Sequence, residues 1–175
     1  MQYRELRDIT TDIVYGNDGK PIWVQSDEEG SSNSLWKHTI TIYNKKIDFK
    51  EKTVKWYVHI IHNCFWGIEI DESKRGGGFQ AYSSDERHIH TVPAKIVRIP
   101  MSRKYQTPEE WNAYPNGFTV KPDDIIFKGI VVNAMSGKTE NEVLNQYGNR
   151  AMIVKYVSDN TDKSDYIKHI HAEGY

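Results

Sequence analysis

The chain has 175 residues and a formal net charge of −1, with 23 lysines and arginines against 24 acids, which fits one domain, or one domain with an appendage. This balance excludes the broad positive field that nonspecific nucleic-acid binding needs, and the single cysteine, Cys64, excludes an internal disulfide framework. The sequence has no apolar stretch as long as a membrane span or the centre of a signal peptide, so we expect a soluble protein made in a reducing compartment.

Residues 1–37 are predicted to form an N-terminal arm with one local hairpin. Residues 12–15 and 21–25 flank the run Gly-Asn-Asp-Gly at 16–19, whose residue types tolerate positive φ and favour a tight turn between two short strands. The polar tract at 26–34 is typical of a linker. The second predicted unit is a barrel-like domain over residues 38–175.

Six segments of that domain are rich in β-branched and aromatic residues or alternate polar with apolar side chains, and each predicts a strand. The predicted strand at 54–66 is the longest, and its apolar residues on both faces are typical of a strand buried on both sides. The six predicted strands cover residues 38–43, 54–66, 94–99, 125–132, 151–157 and 166–172.

Two short helices are predicted from their capping residues. Thr107 followed by Pro108 and Glu110 is a capping box with proline at the first helical position, and Pro115 limits that helix to about a turn and a half. Thr139 opens the second helix in the same way, and a glycine ends it. The elements lack a regular strand-helix alternation, so we expect a mainly β fold, a small antiparallel barrel or sandwich.

Residues 71–92 differ in composition from the strands around them. They begin with charged residues, continue with three consecutive glycines at 76–78 and contain few large apolar side chains. We predict a long loop or an extended hairpin, and loops of this length in compact domains usually carry function or are disordered.

Asp123 and Asp124 stand side by side before an apolar run and raise the question of acid-base chemistry. Neighbouring residues of a strand point to opposite faces, so the two carboxylates cannot act on one atom without a bend. Pro122-Asp-Asp is more typical of a turn entering a strand, in which aspartate accepts backbone N–H bonds. We therefore predict a structural role for both residues.

One segment is similar to a phosphate-binding loop. In it a predicted strand is followed by Gly137, Lys138 and Thr139 and then by a predicted helix. That motif needs a glycine five residues before Gly137, and position 132 is valine, so nucleotide binding is not predicted. Cys64 lies within an apolar run and is interpreted as a small core residue rather than a nucleophile.

Three histidine pairs invite a metal hypothesis, because His-x-His on a strand sets both rings on one face. Two ligands do not make a site, and the expected third ligand has no distinctive spacing. We expect no bound metal and no cofactor, while a metal-dependent hydrolase or nuclease that uses His88, His90 and the last pair stays open as an alternative. The pairs are His59 and His62, His88 and His90, and His169 and His171.

Five ordered pieces of the sequence resemble one family, a group of small proteins encoded among the head and neck genes of tailed phages and prophages of Gram-positive bacteria. The resemblance spans residues 40–160 and leaves out the arm and the final strand. The pieces are ITIYN at 40–44, KWY at 55–57, NCFW at 63–66, FTVKPDDIIFKG at 118–129 and IVKYVSDN at 153–160.

The resemblance implies a non-enzymatic head-tail connector protein, most plausibly a head-closure or stopper subunit that helps to retain packaged DNA and dock the tail. Such proteins are small β-barrels with a long loop toward the channel, and a tail-completion role is the alternative within the same family. The implied assembly is a homo-oligomeric ring of twelve or six copies, made in the host cytoplasm and placed in the virion between the portal or its adaptor and the tail proteins. Contact with DNA is then transient and nonspecific, and no membrane is involved.

That hypothesis assigns roles to particular residues without naming any catalytic one. The long loop would be a gate toward the channel, the arm a clamp on an adjacent ring, and residues 166–175 a docking strand. The predicted gating residues are Glu72, Lys74, Arg75, Gly76, Gly77, Gly78, Phe79 and Arg87, and the predicted ring or partner contacts are Tyr15, Trp23, Trp36, Trp66, Tyr166, His169 and Tyr175.

Overall fold

The computed structural model describes residues 36–49, 53–69, 94–160 and 168–175. Of residue 69 it describes the backbone alone. It also describes the backbone of five short strands outside these ranges. They are β1 (Arg4–Arg7), β2 (Thr11–Tyr15), β3 (Ile22–Trp23), β6 (Gln80–Ala81) and β7 (His90–Thr91). Within the described residues no helix is long and apolar enough to cross a membrane.

The chain is mainly β and forms a closed antiparallel barrel of six strands with two short helices, so the predicted fold class is confirmed and the barrel replaces the sandwich alternative. The strands follow one another around the barrel in the order β5-β4-β9-β10-β11-β8, and β8 closes the circle by pairing with β5. They are β4 (His38–Asp48), β5 (Thr53–Glu69), β8 (Ala94–Pro100), β9 (Ile125–Lys128), β10 (Ala151–Asp159) and β11 (His169–Gly174).

Strand β5 makes the closure possible because it is long enough to pair with two different strands. Its residues 53–64 pair with β4, and its residues 65–69 pair with β8. Asn63 has φ 58° at the change of partner, a conformation that asparagine tolerates better than most residues. The bend therefore lies where the strand leaves one neighbour and joins the other.

The barrel interior is filled by side chains from all six strands, which we call the interior core. Because strand residues alternate between faces, the strands contribute every second residue, except in β5, where the bend at Asn63 separates Ile61 from Cys64. Phe118 and Val120 come from the β8–β9 connection, residues 101–124, which closes one end of the barrel; we call this the α1 end. The interior core comprises Ile40, Ile42, Ile61, Cys64, Trp66, Val97, Ile99, Phe118, Val120, Ile126, Met152, Val154, Ile170 and Ala172.

A second core lies on the outer face of β4, β5, β9 and β10, under the β9–β10 connection. Tyr43 anchors that connection, because its hydroxyl donates to the Val131 carbonyl at 3.0 Å and accepts from the Ala134 N–H at 3.1 Å. This outer core comprises Tyr43, Trp56, Val58, Ile125, Phe127, Val131, Ala134, Met135, Val143, Ala151 and Ile153.

Both predicted helices are confirmed, with their capping boxes. Helix α1 (Pro108–Ala113) is capped by Thr107 and helix α2 (Glu140–Tyr147) by Thr139, and in each case a glutamate at the third helical position completes the box. Gly148 caps the end of α2 and begins a short 3-10 turn, Gly148–Arg150. The helices flank the barrel, and Trp111 of α1 and Val143 of α2 are buried.

The strand boundaries at the ends of β4 and β9 differ most from the prediction, for local reasons. Strand β9 ends at Lys128 rather than at residue 132, because Gly129 has φ 91° and the Thr41 hydroxyl takes over the next backbone groups, donating to the Gly129 carbonyl and accepting from the Val131 N–H. Strand β4 continues to Asp48 through the charged residues after Tyr43, since they pair with the start of β5.

The hairpin predicted within the arm is wrong in its pairing. Strand β2 pairs antiparallel with β1 and parallel with β5, so both of its edges are occupied, and β3 pairs parallel with β5 instead of with β2. The backbone edge of β5 offers the arm a partner that a sequence pattern alone does not reveal. The tight-turn residues 16–19 lie outside the described residues.

The long loop predicted over residues 71–92 is described only at β6 and β7, which pair antiparallel with each other. Its other residues lie outside the described part of the chain.

Candidate functional site

Asp123 and Asp124 form the end of a turn at the α1 end. The Asp124 N–H donates to the Lys121 carbonyl at 3.2 Å, Pro122 takes the second position, and Asp123 takes the third with φ 70°. That is the geometry of a turn whose third residue needs positive φ, a position that aspartate tolerates. The Asp123 carboxylate is exposed and lies 3.3 Å from Lys155 Nζ.

The Asp124 carboxylate is fully buried and surrounded by donors. It accepts from Lys121 Nζ at 2.9 Å, from the backbone N–H groups of Lys121 at 3.0 Å and Lys45 at 2.9 Å, and from Asn44 Nδ2 at 2.7 Å. Burial raises the pKa of Asp124, and the Lys121 ammonium and the donated hydrogen bonds oppose that shift. The contacts from Asn44 and Lys45 tie β4 to the turn, and those from Lys121 lie within it, so the predicted turn is confirmed.

His59 is a buried histidine that points into the barrel from β5. Its ring centroid lies 6.3 Å from that of Phe118, and neither ring nitrogen has a hydrogen-bond partner. Burial lowers the pKa of His59 to about 3, and the charge of Lys104 adds to the shift. The imidazole is therefore neutral in the folded chain at physiological pH.

The residues that are similar to a phosphate-binding loop have structural roles. Thr139 caps α2, and Lys138 Nζ donates to Gln146 Oε1 at 2.6 Å. Cys64 is fully buried, burial raises the pKa of its thiol, and Sγ lies 3.8 Å from the Ile61 carbonyl, so its interpretation as a core residue is confirmed.

His169 and His171 share the outer face of β11, with ring centroids 6.4 Å apart. Each contacts another side chain: His171 Nε2 lies 2.8 Å from a Glu173 oxygen, and His169 Nε2 lies 3.2 Å from Asn160 Nδ2. Within the described ranges, no group of three or more His, Cys, Asp or Glu side chains could hold a metal ion. His88 and the side chain of His90 lie outside the described residues.

The other histidine pair does not share a face. His62 Nδ1 lies 2.9 Å from the Thr39 hydroxyl, whereas His59 points into the interior. The odd spacing of the two residues along a strand accounts for this, because it sets them on opposite faces.

Two of the predicted partner contacts have side chains that are buried within the single chain. Trp66 is 6% exposed in the interior core, and Trp36 is 7% exposed, with its ring edge-on to His169 at 5.5 Å. Both side chains pack within the chain, and their predicted role in a contact between subunits stays a prediction. Tyr175 is exposed, and the Lys155 ammonium lies 5.1 Å above its ring.

The remaining predicted residues lie outside the described side chains. Tyr15 and Trp23 belong to β2 and β3, of which the backbone is described, and Tyr166 lies outside the described residues. The same holds for all eight predicted gating residues, Glu72, Lys74, Arg75, Gly76, Gly77, Gly78, Phe79 and Arg87.

Three large apolar side chains on elements near the α1 end are exposed, and the sequence did not predict their exposure. Ile47 is 49% exposed, Phe49 is 84% exposed in the turn after β4, and Tyr114 is 73% exposed behind α1. Lys46 connects these elements, because its Nζ donates to the Asn112 carbonyl at 3.1 Å. The sequence pattern did not predict exposed apolar side chains here, because residues 44–52 have the composition of a charged connection.

Strand closure and a filled interior define the class of this protein as a closed β-barrel. The profile of DUF6751, a family of unknown function, matches residues 35–175, and the chain belongs to that family. The matched range contains the barrel and both helices but not the arm strands. No curated protein and no solved structure matches the chain.

Proposed function

We propose that the chain is a non-enzymatic structural subunit of the head-tail connector of a tailed phage or prophage. In this function it forms a closed ring of identical copies between the portal or its adaptor and the tail, as a head-closure protein that helps to retain packaged DNA. The observation that carries the proposal is the exposure of three large apolar side chains on elements near the α1 end, Ile47, Phe49 and Tyr114.

Large exposed apolar side chains rimmed by polar groups are typical of protein interfaces. Here the rim is supplied by Lys46 and by the first turn of α1, which carries Glu109 and Glu110. A second copy of the chain is the partner that fits, because a surface with both apolar residues and both charge signs can meet a different surface of the next copy around a ring.

The pieces that resemble phage neck proteins occupy neighbouring strands, which supports the proposal. ITIYN belongs to β4, KWY and NCFW to β5, and IVKYVSDN to β10, while FTVKPDDIIFKG contains the turn of Asp124 and strand β9. These strands are contiguous in the barrel order β5-β4-β9-β10. The resemblance therefore falls on one continuous wall and the turn fastened to it.

The net charge of −1 also supports passage of DNA. Each phosphate that a protein neutralises strengthens binding, and a strongly basic lining would hold the DNA in place. A near-neutral subunit lets the duplex slide through the ring.

The test compares an isoleucine of β4 with an isoleucine of the β9–β10 connection, which lies beside the other end of β4. Ile47→Asp places a charge at the α1 end, whereas Ile130→Asp places the same charge at a residue that is 54% exposed beside the other end of the strand, where Gly129 N donates to the Thr39 carbonyl. We expect native mass spectrometry to show a closed oligomer for the wild type and for Ile130→Asp, and monomers for Ile47→Asp.

Phe49→Ser provides a second variant in a turn, where the fold tolerates the change more readily than in a strand. It should also give monomers with the wild-type circular dichroism spectrum. The proposal would be contradicted by a wild-type protein that is monomeric. It would also be contradicted if Ile47→Asp and Phe49→Ser both assemble like the wild type.

A further inference from the structure

Strand β5 has an edge that no strand of the barrel covers. One side of β5 pairs with β4, and on the other side β8 pairs only from Phe65 onward. In the described part of the chain, the backbone of residues 54–60 on that second side is covered by the arm alone. Strand β2 pairs with residues 54–57 and β3 with residues 59–60, both in parallel register.

This edge needs a cover, because the segment is one of the most apolar in the chain. Trp56 is 2% exposed, and Val58 and Ile60 are fully buried. An exposed edge strand with such residues is a template for pairing with any other strand, which native proteins avoid by covering it. The segment is thus built as an acceptor for an added strand.

The connection from the arm to the barrel is much longer than pairing within one chain requires. Strand β3 ends opposite Ile60, and β4 begins opposite Cys64 on the other side of β5. At about 3.3 Å per residue along a strand and about 4.8 Å between strands, these points lie roughly 16 Å apart. Residues 24–37 between Trp23 and His38 can span about 45 Å when extended.

The arm also lies outside the part of the chain that defines the family. The DUF6751 match begins at residue 35, so it includes the acceptor edge of β5 and excludes β1, β2 and β3. The cover of the edge therefore lies outside the matched range, and a long connection attaches it to the barrel.

From these observations we infer that the edge of β5 at residues 54–60 is a strand-addition site, and that in the assembled ring the arm of one copy pairs with β5 of the next copy. The inference rests on the self-association in the proposed function but not on where the ring is placed. The same backbone hydrogen bonds form within one chain and between two, so the exchange between copies costs little, and the long connection lets the neighbour be reached.

Disulfide trapping between singly substituted chains tests the inference. Asp12 of β2 and Lys55 of β5 are direct partners in the register, about 4.8 Å apart, which is within the range that a disulfide bridges. A tagged Asp12→Cys chain and an untagged Lys55→Cys chain would be co-expressed, assembled and oxidised. Cys64 is buried and stays inert.

The expected result is a covalent dimer of tagged and untagged chains on a non-reducing gel, lost on reduction. Arg7→Cys co-expressed with Lys55→Cys is the matched control, because Arg7 of β1 pairs with Asp12 and is one strand further from β5. This pair should give no dimer.

Two results together would overturn the inference. The Asp12→Cys and Lys55→Cys chains would give no dimer, and a single chain that carries both substitutions would form an internal disulfide. Native mass spectrometry of the same sample then separates the two proposals. An oligomer without the dimer contradicts only the arm exchange, whereas monomers contradict the proposed function as well.

Discussion

Asp124 is the residue on which the α1 end depends most directly. Its buried carboxylate is paired with Lys121 and accepts N–H groups from two segments that are distant in sequence, whereas its neighbour Asp123 is exposed. Removing one member of a buried, hydrogen-bonded ion pair leaves the other charge without compensation, and this usually costs about 3–5 kcal/mol.

Asp124→Asn should lower the free energy of unfolding by about 3 kcal/mol, because it keeps the shape of the side chain but removes its charge and turns one acceptor into a donor. Asp123→Asn is the control, since asparagine tolerates positive φ, and we expect a change below about 0.5 kcal/mol. Urea denaturation measures both. Equal losses would show that the buried pair has no special role.

His59 should make the stability of the chain sensitive to acid. The folded chain keeps the imidazole neutral down to the pKa of about 3, whereas the unfolded chain takes up a proton near the ordinary pKa of 6.5. Between these values the unfolded state binds more protons, so stability is lost as the pH falls, by up to about 1.4 kcal/mol per pH unit.

His59→Leu should remove this part of the pH dependence and leave stability near neutral pH unchanged or higher, because neither ring nitrogen has a partner to lose. Ile61→Val is the control in the same interior core and should cost about 0.5–1.5 kcal/mol at every pH. Urea midpoints from about pH 7 to about pH 4 provide the measurement. A slope that survives in His59→Leu would contradict this account.

For single residues, the sequence predicted the features that depend only on neighbouring residues in the chain. Pro122 and the adjacency of the two aspartates were enough to predict a turn. The buried partners Asn44 and Lys45 and the contact of His59 with Phe118 depend on which strands meet in the barrel, and no residue spacing records that.

Among the elements, helix α2 covers the outer core and depends on its first turn. The Thr139 hydroxyl accepts the Glu142 N–H, which would otherwise lack a partner. Thr139→Ala should lower the free energy of unfolding by about 1 kcal/mol, and Thr139→Ser, which keeps the hydroxyl, should stay near the wild type. Thermal unfolding followed by circular dichroism measures both. An alanine variant as stable as the serine variant would contradict the role of the cap.

The connection that closes the α1 end requires a glycine at 117. A Cβ atom there would lie 1.9 Å from the Lys104 carbonyl oxygen, so the backbone would have to move. Gly117→Ala should cost at least about 2 kcal/mol, within the range of overpacking a tight site.

Gly148→Ala is the control for this prediction. A Cβ atom at Gly148 meets open space, so only its positive φ is unfavourable, at a cost of about 1 kcal/mol. Guanidinium denaturation compares the two variants. A Gly148 variant that loses more stability than the Gly117 variant would show that the close approach to Lys104 is unimportant.

The sequence predicted the elements better than their connections. Capping residues and apolar alternation are local, and they placed both helices and the cores of β4, β5, β8, β9, β10 and β11. The closure of the barrel depends on β5 changing partner at Asn63, and in the arm β2 and β3 pair with β5 rather than with each other. Both depend on competition between distant backbone edges.

For the whole molecule, the interior core holds the barrel together and leaves its outer surfaces to make contacts. The exposed residues of the α1 end and the covered edge of β5 are two such surfaces, and the proposed ring of copies would use both. In that proposal the first would join copies through apolar side chains, and the second would join them through backbone pairing with the arm.

Electron microscopy of phage particles tests the central proposal most directly. Particles would be assembled in a strain whose only copy of the gene encodes the chain with a tag at its carboxyl end, next to the exposed Tyr175, and then labelled with gold. We predict gold at the junction of head and tail. Particles that carry gold along the tail or on the head shell, or that lack the chain and still infect, would contradict a connector function.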